Sequence, residues 1–202
     1  MFVTARKHAG MLVVLTLLLC GIWQIGLGTY IQAKAILAQI LLEMAWSESH
    51  RTSKEVKPWP WADTWPVGRL TVPGLNISRI VLAGASGSSL AFGPGHLFGT
   101  ALPGQDGNIV IAGHRDSHFR FLQDLKQGEK LILQTPDSKQ LEYTVRTITI
   151  GRYDEVHYLQ DNGENRLTLI TCYPFDAIVP GGPLRYIITA GIPPDINNDM
   201  IL

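Results

Sequence analysis

Three side chains in this sequence have the types and settings that nucleophilic chemistry requires. Cys172 ends the apolar run Arg166-Leu-Thr-Leu-Ile-Thr171 and precedes Tyr173-Pro174, where a strand gives way to a loop. A thiol at such a point is both rigidly held and accessible. An unperturbed thiol of pKa about 8.5 is only a few per cent thiolate at neutral pH, so attack on a carbonyl needs a proton acceptor or a cation at hand. His114 closes the run Asn108-Ile-Val-Ile-Ala-Gly113, again at a strand end. An imidazole there can exchange protons with a thiol and with a leaving amine. Arg185 follows Gly181-Gly182-Pro183-Leu184 and opens the last strand, where a guanidinium can favour the thiolate or donate to an oxyanion. Each residue taken alone also has an ordinary reading: a small buried hydrophobe, a hydrogen-bonded loop histidine, a solvated edge arginine.

The elements that must position these groups read as all-β. Beyond Val67 the apolar residues fall in short runs broken by Gly, Pro, Asn and Asp, predicting strands at 68–72, 77–83, 108–113, 130–134, 141–152, 166–171 and 184–190. Seven or eight such strands imply a barrel or a sandwich. Helical patches at 88–92 and 117–125 interrupt them, the second with Phe119, Leu122 and Leu125 on one side, and are expected to cover the barrel ends.

Ahead of this domain the pattern is different. Residues 10–31 carry no charge, and as a helix would span about 33 Å, enough to cross a bilayer. Arg6 and Lys7 precede the run, so the positive-inside bias keeps the N-terminus cytoplasmic and sends the remainder outward. Helical spacing continues through Ala35, Leu37, Leu41, Leu42 and Ala45, and a stretch with Trp59, Trp61 and Trp65 among Pro58, Pro60 and Pro66 then ends it. The tryptophans suit a headgroup anchor or a strap packed on the domain. The expected organisation is a cytoplasmic N-terminus (1–9), a transmembrane helix (10–31), a juxtamembrane helix and linker (32–66), a catalytic β-domain (67–191) and a tail (192–202).

Composition narrows the partners. A chain of 202 residues, 46% of them apolar, holds one good core beside a tether. Seventeen basic residues balance seventeen acidic ones, which disfavours a nucleic-acid binder. The second cysteine, Cys20, lies inside the apolar run, so Cys172 is expected to be a free thiol. His96, His118 and His157 do not form a convincing metal set with His114, Asp154-Glu155 and Asp161 with Glu164 do not make a compact acidic cluster, and no cofactor is expected. His114-Arg115-Asp116 lacks the asparagine that a kinase catalytic loop would carry, Phe121 standing in its place.

Together, Thr168-Leu-Ile-Thr-Cys172, the strand Asn108-Ile-Val-Ile-Ala-Gly-His114 and Arg185-Tyr186-Ile-Ile resemble the sortase family, over about residues 67–190. The first segment matches the family's Thr-Leu-x-Thr-Cys signature in full. Gly93-Pro-Gly-His96, Pro103-Gly-x-x-Gly-Asn108, His114-Arg-Asp-Ser-His-Phe119 and Cys172-Tyr-Pro-Phe175 are most similar to the sortases of Gram-negative bacteria. The resemblance implies a closed β-barrel of about eight strands and a cysteine transpeptidase with Cys172, His114 and Arg185 as its catalytic residues. It further implies a secreted substrate bearing a C-terminal Leu-Pro-x-Thr-Gly-like motif and an amine acceptor. The catalytic domain would stand on the outer side of the inner (cytoplasmic) membrane. A cysteine hydrolase using the same residues, and a passive peptide-binding β-domain, are the alternatives the residues leave open. The substrate-binding residues are not legible.

Overall fold

The computed structural model describes residues 2–179 and 181–193, the side chains of 2–9 and 13 excepted. The tail expected at 192–202 therefore lies outside the described residues beyond Pro193. The chain forms two compact units, residues 1–40 and 41–202.

The first unit is helical wherever it is described. It belongs to helix α1, Phe2–Thr52, an unbroken run of 51 residues whose last turns begin the second unit. From Gly10 to Thr52 this helix is long and apolar enough to cross a membrane, its most apolar window having a mean hydropathy of 2.1 and no buried residue. Met11, Leu12, Leu18, Ile22, Trp23 and Ile25 are all exposed. The hydroxyls of Thr16 and Thr29 donate to the carbonyls of Leu12 and Ile25 one turn earlier, so neither polar group asks anything of its surroundings.

The second unit is a closed barrel of eight strands: β1 Pro66–Val72, β2 Ile77–Ala83, β3 Gly95–His96, β4 Asn108–Ala112, β5 Lys130–Gln134, β6 Gln140–Arg152, β7 Arg166–Tyr173 and β8 Leu184–Gly191. They close in the order β1-β2-β3-β4-β7-β8-β6-β5. The pairs β2/β3 and β4/β7 are parallel and all others antiparallel. Alternation is clean in β1, whose side chains are buried and half-buried in turn, as a strand with one face on the core must be. In β7 the five residues Leu167 to Thr171 are all buried. That strand is covered on both faces, so burial does not alternate along it and even Thr168 and Thr171 are buried.

The barrel interior is filled by Leu70, Val72, Val81, Ile109, Ile111, Leu131, Leu133, Leu167, Leu169 and Ile188. Phe119, Leu122 and Leu125 join this core from the segment 119–125, in which Arg120–Asp124 is a 3-10 helix. The other predicted patch is a single helical turn, α2, Gly87–Leu90.

The strand absent from the sequence reading is β3. It has only two residues, without the β-branched run that marks its neighbours, and tertiary contact alone makes it a strand. A Cβ on Gly95 would lie 2.2 Å from the carbonyl oxygen of Gly84, so only glycine lets the segment after β2 approach this closely.

Candidate active site

Strand β7 lies between β4 and β8, and this order brings the three predicted residues together. In the β7/β8 ladder Cys172 pairs directly with Arg185. The parallel β4/β7 ladder runs from Asn108↔Arg166 to Ala112↔Ile170. It continues one residue further, since Gly113 N–H donates to the Ile170 carbonyl at 3.1 Å. Extending that register by one more residue sets His114 level with Cys172 on its other side. All three residues stand at the same end of adjacent strands. Leu167 and Leu169 face the interior core while Ile170 packs with Val110 and Ile187 outside it. By strand alternation Cys172 therefore projects from the outer face. Cys172 is half-buried, Arg185 half-buried and His114 exposed.

The threonines of the Thr168-x-x-Thr171-Cys172 segment explain how the thiol is held. Thr171 Oγ1 donates to the Gly113 carbonyl at 2.7 Å and Thr168 Oγ1 donates to Asn108 Oδ1 at 2.7 Å, both bonds buried. Asn108 Nδ2 in turn donates to the Tyr158 carbonyl at 2.9 Å. Both hydroxyls thus tie β7 to β4, and Asn108 ties both to the loop after β6. Valine at either position would take the donor from a buried acceptor, Asn108 Oδ1 or the Gly113 carbonyl, at a cost of roughly 1–3 kcal/mol.

The histidine segment is fixed by packing. A Cβ on Gly113 would meet the fully buried Phe119 ring at 2.7 Å, and Phe119 N–H donates to the His114 carbonyl at 2.9 Å. The chain therefore folds back on itself immediately after His114.

Arg185 Nη1 donates to the carbonyls of Gly182, at 2.7 Å, and Leu184, at 2.9 Å, and the guanidinium lies over the Tyr153 ring with 5.9 Å to the centroid. Stacking and the two bonds fix its plane, while Nη2 and Nε have no hydrogen-bond partner among the described residues. Tyr173, Phe175 and Tyr186 form an aromatic cluster beside it, with Tyr173 and Tyr186 stacked at 6.1 Å and Phe175 edge-on to Tyr186 at 5.1 Å.

The remaining histidines are dispersed. His96 is buried and its Nε2–H donates to the Ala101 carbonyl at 2.9 Å, burial holding its pKa below the ordinary histidine range. His157 stands edge-on to Tyr158. Among the described residues no group of three or more His, Cys, Asp or Glu side chains is arranged to hold a metal ion. A cleft of about 470 Å³ opens elsewhere, lined by Lys54, Trp65, His96, Phe98 and Leu102, and none of the three predicted residues borders it.

Thr168, Thr171, Asn108 and Tyr153 were not singled out from sequence as site residues. A threonine one or four positions before a nucleophile carries no local signal of its bond to another strand. Their roles depend on β4 lying beside β7, a pairing between segments some 60 residues apart.

A family model described as the sortase domain matches residues 70–192. Sortase D of Bacillus subtilis (strain 168) is 32% identical over 121 residues, 60% of this chain and 61% of that protein. Sortase A of Bacillus anthracis is 26% identical over 130 residues, 62% of this chain and 59% of that protein. The chain thus matches about three fifths of the length of these curated relatives. Among solved structures, sortase A from Corynebacterium diphtheriae is similar with a TM-score of 0.60 at 25% identity, over 70% of this chain and 67% of that one. Sortase C-1 from Actinomyces oris is similar with a TM-score of 0.57 at 30% identity, over 64% of this chain and 73% of that one.

These relatives are Gram-positive sortases, and the expected likeness to the Gram-negative class finds no support in them. Gly93 and Gly95 lie against the backbone of β2 and of the segment that follows it, so the Gly93-Pro-Gly-His96 segment has a packing role in closing the barrel. The motif, the closed barrel and the matched residues agree on one assignment: the chain belongs to the sortase family.

Proposed function

We propose that the chain is a membrane-anchored cysteine transpeptidase that cleaves a C-terminal Leu-Pro-x-Thr-Gly-like motif of a secreted protein and passes the acyl group to an amine. The observation that carries this reading is the pairing of Cys172 with Arg185 across β7/β8, with His114 following β4 on the other side of β7.

In this reading the Cys172 thiolate attacks the threonine carbonyl. The tetrahedral intermediate collapses as protonated His114 donates to the leaving amine, and a thioester remains on Cys172. The incoming amine gives its proton to His114 as it attacks the thioester, and Cys172 leaves as the thiolate. Arg185 donates from Nη2 or Nε to the developing oxyanion or to the substrate backbone. Its Nη1 bonds to Gly182 and Leu184 hold the guanidinium ready for this.

Residues 10–31 are the anchor in this reading, 1–9 are cytoplasmic, 32–66 join the anchor to the domain, and the barrel stands outside the cytoplasmic membrane. The apolar, internally satisfied helix and the basic residues before it support this.

The test incubates the detergent-solubilised full chain with a Leu-Pro-x-Thr-Gly peptide and a primary amine. The expected products are the leaving fragment and an amide adduct, with a mass shift on Cys172 during turnover. Release of the free acid alone would make the protein a hydrolase. Intact peptide, still bound by a Cys172→Ala variant, would make it a binding domain.

A further inference from the structure

One buried cation beside the site has no part in the chemistry above. Arg115 follows His114 directly, yet it is only 8% exposed. It forms no ion pair with a carboxylate among the described residues. Instead Nη2 donates to the carbonyls of Ala177, at 2.7 Å, and Val179, at 3.1 Å, while Nη1 is buried without a partner. Burying a guanidinium against carbonyls alone is costly, and a loop that needed only to be closed could be closed by apolar packing.

What Arg115 joins is informative. The segment it grips leaves β7 just after Cys172 and reaches β8 at Leu184, and its last carbonyls are those that hold Arg185. One end of the clamp is covalently next to His114. The other lies in the connection between Cys172 and Arg185. Fixing Ala177 and Val179 also sets Ile178 between them wholly outward, 98% exposed.

We propose that Arg115 is a positioning residue that sets the His114 segment against the connection between Cys172 and Arg185, so that the three groups keep one geometry during thioester formation. This rests on the reading of those three residues as the catalytic set. The hydrogen bonds of Arg115 go to the loop carbonyls of Ala177 and Val179 and not to the Cys172 thiol. Loss of Arg115 acts through the alignment of the other groups, to which rates are sensitive at the scale of an ångström.

The test compares wild type, Arg115→Ala, Arg115→Lys and Cys172→Ala as full chains with the sorting peptide, expressing kcat per Cys172 titrated by iodoacetamide. Arg115→Ala is expected to lower kcat about 10- to 100-fold with KM changed about threefold or less. Added guanidinium ion, at concentrations that leave wild type unaffected, should restore part of the loss. Arg115→Lys keeps a buried cation and should fold even where the alanine variant does not, with a kcat between the two. A wild-type kcat per titrated thiol in either variant overturns the proposal, as does a loss confined to the melting temperature. If wild type itself releases no more product than Cys172→Ala, the reading of the catalytic set fails instead, and the two failures are distinct.

Discussion

The outer face of the barrel is covered in two places by two kinds of structure. On β2 the cover is helical: Leu42 and Trp46, from the last turns of α1, pack on Ile80 and Leu82, with the Arg69 guanidinium over the Trp46 ring at 5.6 Å. On β4, β7 and β8 the cover is loop: Val110, Ile170 and Ile187 meet Leu97, Tyr158 and Leu159. A helix satisfies its own backbone and seals the surface beneath it. A loop has to borrow its polar partners, as Tyr158 borrows Asn108, and its first residue, Tyr153, lies against the Arg185 guanidinium. The same barrel therefore has one outer face sealed by a helix and another covered by loop, whose end holds the half-buried Cys172 and Arg185 of the proposed site.

Substitutions can break this contrast, and the largest effect belongs to the loop-covered face. Cys172→Ala is expected to remove about 10⁴-fold or more of the cleavage rate, since a nucleophile has no substitute within its set. Peptide cleavage followed by mass spectrometry checks this, and retained thioester-free turnover would move the nucleophile elsewhere. Arg185→Ala should cost about 10² to 10³ in kcat and leave the melting curve nearly unchanged, because its bonds are to its own loop.

On the helix-covered face the consequences reverse. Trp46→Ala deletes a buried ring from the helix cover and should destabilise the domain by about 3 kcal/mol, read from denaturant unfolding, while kcat per folded molecule stays at the wild-type value. A large kcat loss there would mean that the two faces are coupled.

The smallest effect is a pH dependence at His96, which is buried at the junction of β3 and the loop before β4. Burial lowers its pKa from 6.5. In acid the unfolded chain therefore binds a proton that the folded chain refuses, and stability falls as pH drops below 6.5. His96→Gln removes this titration, and its unfolding free energy should vary less with pH in that range.

Much of the barrel was legible in the sequence because β1, β2, β5 and β6 alternate or carry β-branched runs between turn residues. Phe119, Leu122 and Leu125 were legible as one buried side for the same reason, periodicity on a short helical patch. The helical spacing that continues past residue 31 was legible too, and α1 runs unbroken to Thr52. Of the tryptophans, Trp59 packs edge-on to Phe92 at 5.0 Å while Trp61 is 83% exposed. The linker is thus a strap at one tryptophan and open to solvent at another, a division that composition could not make.

By itself the sequence determined the all-β domain, the apolar helix before it and the three residue types at strand ends, because each is written in local spacing or in a contiguous motif. Only the tertiary structure decided the strand order that sets β7 between β4 and β8. That order makes Thr168, Thr171 and Asn108 into fasteners, gives Arg185 its Tyr153 face, and turns Arg115 from a neighbour of His114 into a buried clamp. These are contacts between segments far apart in the chain. Their partners are chosen by how the barrel closes, and no local pattern encodes that choice.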